Sequence, residues 1–213
     1  MLLPRLLLLK SLLGRRDETK LRFGVVGIVA VALYFNLGKE AMKIRSLKEI
    51  LSYEHPDVVD AFLARFPMPD SEAKEIFQEM LKMMWLMAIR KEEAAANVIT
   101  SPDRINVFEQ MRVLDEMWHT FILFSQDYHK FCETNFGYYL HHMPTTVSDR
   151  KRERLSAQAD PIAYGERYAR DIEVQCRYIC EKLGVETLVT WFQKYPTQYP
   201  IFQSSPEKRE LSH

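Results

Sequence analysis

After Ser46 the apolar residues of this 213-residue chain recur every three to four positions over long stretches, a period that lays them along one side of a helix. Local capping signals cut the pattern into segments. His55-Pro56 precedes a short helical segment that ends at the turn Phe66-Pro67-Met68-Pro69-Asp70, and Ser71 reads as the N-cap of a long helix over residues 71–96. Ser101-Pro102-Asp103 and Asp160-Pro161 each set a capping side chain before a proline at the first helical position. Gly137, Gly184 and Pro196 are the corresponding stops. No alternating strand pattern and no internal repeat interrupts this series. The reading is an all-α, compact helical bundle with an N-terminal hydrophobic helix: at least five helices after Ser46, and no sheet of more than two short strands.

Within that bundle the long helix buries Ile76, Phe77, Met80, Met83, Met84 and Met87, a methionine-rich face at core spacing rather than a soft-metal site. The helix opened at Ser101 carries Asp115 and His119 and continues toward Cys132 with a break near Ser125. The charged run over residues 149–155 faces solvent, a helix runs from Asp160-Pro161 to Leu183, and a last helix over residues 185–195 ends at Pro196.

Residues 112–144 concentrate the chemistry. They hold four of the six histidines and Cys132 in a dense aromatic background. On a helix Asp115 and His119 stand one turn apart, with Phe108, Met111, Trp118 and Ile122 around them, so two polar groups are expected in apolar surroundings. Burial there demands a partner: a mutual hydrogen bond, a bound cation or a ligand pocket. DEMWH has the i, i+4 spacing of a zinc-protease helix, but Asp115 replaces the first histidine, so a further donor must come from elsewhere. Just past the Gly137 turn lie His141 and His142, which point in different directions in an extended segment. The expected metal set is Asp115, His119 and His142, with His141 as the substitute; zinc, iron or manganese suits such a mixed nitrogen and oxygen set. Glu116 is turned away by 100°, and His129 stands about 15 Å along an unbroken helix from His119. His129 and His55 are read as structural. The aromatic set Trp118, Phe121, Phe124, Tyr128, Phe131, Phe136, Tyr138 and Tyr139 is read as core with tyrosine hydroxyls at its edge.

The front of the chain differs. Residues 1–45 form a hydrophobic N-terminal segment, residues 46–203 the helical domain and residues 204–213 a polar tail. Residues 23–38 are uncharged, and as a helix they cover about 24 Å against about 30 Å of hydrocarbon, a gap that Arg22 and Lys39 can close by snorkelling. This run is read as a single-pass membrane anchor, with the main domain on the cytoplasmic side of a bacterial-type inner membrane. Packing against the domain and a cleaved leader are the alternatives. Cys132, Cys176 and Cys180 make no disulfide framework and suit a reducing compartment. With Lys plus Arg equal to Asp plus Glu at 29 each, no global positive field argues for nucleic acid. GxxxxGK, GxGxxG and HExxH are all absent.

The run LDEMWHTFILFSQDYHKFC, followed by FGYYLHHMP, resembles the core of the glycine-rich-domain-containing protein-like family over about residues 113–144. In that family a small helical domain carries an acidic residue ahead of a Trp-His pair, then a Tyr, and later a His beside a turn. Asp115, Trp118, His119, Tyr128 and His142 fall on this pattern. Phe121 stands where the family often has a second histidine, and the glycine-rich tract of the plant members is missing. The resemblance implies that Asp115, His119 and His142 form a site, and it names no reaction. Two functions follow: a metal-binding helical domain whose ion keeps a position for water or substrate, or a membrane-tethered protein-interaction module in which the Asp/His cluster only fixes the fold.

Overall fold

The structure, a computed structural model, describes residues 44–96 and 102–203. Helix α1 (Leu47–Ile50) opens with a capping box in which Ser46 and Glu49 satisfy each other's backbone. Helix α2 (Pro56–Arg65) is capped by His55, whose Nδ1 accepts the Val58 N–H. Helix α3 (Asp70–Ala95) is the centre of the bundle. Its Ala73, Ile76, Phe77, Met80, Leu81, Met83, Met84 and Leu86 are buried, because α1, α2 and two later helices pack around it. Met87 is only half-buried.

Those later helices are α4 (Arg112–Leu123), which crosses both α2 and α3, and α7 (Pro161–Leu183). Between them run α5 (Ser125–Phe136) and α6 (Val147–Ala159). The break near Ser125 is present at Phe124, whose ψ of 61° ends α4 before α5 begins. Gly137 closes α5 at φ 77°, a left-handed conformation that glycine adopts without cost. The charged run around Asp149 is solvent-facing as expected; it is helical, capped by Thr146, and α6 buries no residue. Past Gly184 the chain forms α8 (Val185–Val189), a π-turn over Thr190–Lys194 and α9 (Tyr195–Gln198). Among the described residues there is no strand.

Three boundary expectations are corrected. Ser71 is not the N-cap of α3: the helix starts one residue earlier behind Pro69, without a side-chain cap. Ser101-Pro102-Asp103 does not open a helix, for residues 102–108 are non-helical and α4 begins only after a single turn at Glu109–Met111. Long-range partners hold this segment out of a helix. The buried Gln175 amide accepts the Asn106 N–H at 2.7 Å and donates to the Asn106 carbonyl at 2.8 Å, while Arg90 donates to the Pro102 carbonyl. Pro196 does not stop the last helix either. The wider turn before it, in which the Tyr195 N–H reaches Thr190, relieves the clash between a helical proline ring and the preceding turn.

The membrane reading is also corrected. Among the described residues no helix is long and apolar enough to cross a membrane. Helices α3 and α7 have the length, at 26 and 23 residues, but charges such as Lys74, Glu79, Lys82, Glu166, Arg170 and Glu173 recur along them. Each would cost about 2.5–3.5 kcal/mol or more at the bilayer centre. The single-pass anchor, the membrane partner and the placement of the domain behind it therefore find no span here. Residues 23–38, to which the anchor and the hydrophobic N-terminal helix were assigned, lie outside the described residues.

The Asp160-Pro161 signal holds, with the Asp160 carboxylate accepting the Ala163 N–H at 2.9 Å. Asp160→Ala is expected to cost about 1 kcal/mol. Residues 161–163 are exposed, so the loss is local: their amides exchange faster while the melting temperature falls by no more than about 4 °C. Hydrogen exchange beside a thermal melt checks it.

Candidate metal centre

Helix α4 buries Val113, Leu114, Met117, Trp118 and Phe121 on the face it turns to α2 and α3. Asp115 and His119 lie at the border of that face. Their side chains are 25% and 43% exposed, so the expected apolar surroundings are replaced by a rim open to solvent on one side. The third residue arrives on the non-helical segment launched by Gly137. Along it Leu140 is buried, His141 exposed and His142 half-buried, the alternation of an extended chain. His142 thus faces α4, and His141 lies outside against the Tyr139 ring at 4.9 Å.

One donor atom from each of Asp115, His119 and His142 falls within 4.8 Å of the others. His142 Nε2 is 2.8 Å from Asp115 Oδ1, a hydrogen bond, and His119 Nε2 is 4.0 Å from Asp115 Oδ2. The two imidazole rings stand 4.5 Å apart. Ligands bound at about 2.1 Å to one ion are separated by about 3.0–3.4 Å, so the donors bracket that spacing and side-chain rotation can close it. The set fits a divalent ion chemically as well: two imidazole nitrogens and one carboxylate oxygen suit zinc, iron or manganese. This small helical domain therefore carries a cluster geometrically suited to chelate a divalent metal ion. The ion would replace the proton shared by His142 and Asp115.

The remaining candidates are elsewhere. Glu116 is drawn off by Arg65 at 3.0 Å. His129 pairs with Glu133 at 3.1 Å, and His55 lies against Phe121 and Phe124 with Asp127 at 3.4 Å. Neither histidine joins the cluster. Cys132 is buried, and burial pushes its thiol above the usual range; Cys176 and Cys180 join no metal-competent group among the described residues.

Sequence reasoning gave Tyr128 no role behind the cluster. Tyr128 is core as read, but its hydroxyl lies inside rather than at the edge: it accepts from Trp118 Nε1 at 3.0 Å and donates to the Leu140 carbonyl at 2.5 Å. Burial holds that hydroxyl far above the usual phenol range. The signal was present in its place on the resemblance pattern, but no local spacing shows what a tyrosine hydroxyl will reach.

A model of the UCP032817-like family matches residues 98–158, under a third of the chain and the part that contains Asp115, His119, Tyr128 and His142. No curated protein and no solved structure matches the chain.

Proposed function

We propose that this domain binds a divalent metal ion through Asp115, His119 and His142. The observation that carries the reading is the convergence of three donor atoms, from two elements of the fold, within 4.8 Å. The same residues carry the resemblance to the glycine-rich-domain-containing protein-like family, which supports the reading and names no reaction. The half-exposed His119 side chain leaves a solvent side on which water or a small ligand can complete the coordination. Zinc, iron and manganese are the ions the donor set accommodates.

The test is elemental analysis of the full chain purified without chelator. About one ion per chain is expected, and loss of that ion from Asp115→Ala, His119→Ala and His142→Ala while each variant keeps its helical circular dichroism. A folded wild-type chain that carries no ion and takes up none of the three metals on dialysis overturns the reading.

The 2.8 Å contact between His142 and Asp115 favours a second reading, in which the cluster is a clasp that fastens the 138–146 segment to α4 in a protein-interaction module. That reading expects an empty wild-type chain and an Asp115→Ala variant that is less stable.

A further inference from the structure

Asp115 and His119 are held in place by the hydrogen bonds of α4 itself, whereas His142 belongs to a segment with no helix of its own. Something else must set its position. Two residues before it, the Leu140 carbonyl accepts the Tyr128 hydroxyl at 2.5 Å. The same Tyr128 oxygen accepts the Trp118 indole N–H at 3.0 Å. Trp118 sits on α4 between Asp115 and His119, and its ring meets the His142 ring edge-on at 4.4 Å. One buried hydroxyl thereby links the helix that supplies two donors to the segment that supplies the third.

We propose that Tyr128 is the positioning residue of the metal centre, its hydroxyl pre-placing His142 against Asp115 and His119 before an ion arrives. The inference rests on the metal-binding reading above. A phenol is suited to the task because it has one O–H to give to the Leu140 carbonyl and lone pairs to take the indole N–H. Phenylalanine would fill the same space and leave both buried partners unpaired. Outer-shell residues of this kind typically change metal affinity by about 10- to 100-fold.

The experiment is competitive zinc titration of the full chain as wild type, Tyr128→Phe, His142→Ala and the double variant. Tyr128→Phe is expected to weaken zinc binding by about 10- to 100-fold, and to weaken it no further once His142 is already alanine. A wild-type chain that binds no zinc, iron or manganese removes both the metal reading and this inference. A wild-type chain that binds zinc and a Tyr128→Phe chain within about twofold of it overturns the inference alone. So does an equal loss in the His142→Ala background, which marks a general effect on the fold. If Tyr128→Phe does not fold, the metal-free wild type decides: the Trp118 indole proton is expected to exchange at least about 100-fold more slowly than a free indole, and rapid exchange overturns the pre-placement.

Discussion

Truncating Phe121 to alanine is expected to cost about 3–5 kcal/mol, a large part of the 5–15 kcal/mol that about bounds the stability of a domain. Phe121 is fully buried and lies within 5.2–6.0 Å, ring to ring, of Tyr53, His55, Phe77, Tyr128 and Phe131. Those rings come from α3, α5 and the turn before α2, so the cavity left by alanine is walled by elements that cannot all move inward. A denaturant titration checks the value: the midpoint should drop sharply while the slope stays near that of the wild type. A shift below about 1 kcal/mol would show that the site collapses easily around the missing ring. Two residues past His119 is about 200° around the helix, so a side chain there faces the core rather than the ion, and phenylalanine suits that face.

Trp191→Ala is expected to lose a similar amount, about 3–5 kcal/mol, for a mixed reason. Trp191 is fully buried in the π-turn, and its indole N–H donates to Glu79 Oε2 at 2.8 Å. The Glu79 carboxylate is nearly buried on α3 and, among the described residues, keeps only Lys82, at 2.6 Å, when the indole is gone. Alanine therefore removes a large apolar side chain and one of two partners of a desolvated charge. Trp191→Phe separates the two contributions. It retains most of the apolar area and should lose about 1–3 kcal/mol, the cost of leaving a buried carboxylate oxygen short of a donor. Thermal melts followed by circular dichroism read both variants, and equal losses for Ala and Phe would refute the partition.

Much of the fold was legible because helix starts and stops are local chemistry. Asp160 needs only a side chain that reaches an N–H three residues on, with a proline to follow, and it caps as read; His55 before Pro56 caps in the same way, a role that only the structure shows. Gly137 and Gly184 needed only their freedom at positive φ. Ser101-Pro102 carried an equally good local signal and was overruled by Gln175, which pairs with Asn106 from 69 residues away. Pro196 was overruled by a change of helix type, which leaves no mark in apolar periodicity. The membrane reading rested on residues 23–38 alone, and the long helices the structure does describe carry too many charges to substitute for them.

By itself the sequence determined the all-α class, the one-turn spacing of Asp115 and His119, and the short list from which a third donor had to come, because helical period and turn residues act over a few positions. Only the tertiary structure decided that the cluster lies at a half-exposed rim and that His142 faces it while His141 does not. An extended segment alternates its side chains whichever way it lies. The parity was set when Leu140 docked into the core and its carbonyl met the Tyr128 hydroxyl, contacts between residues twelve positions apart that local spacing does not encode.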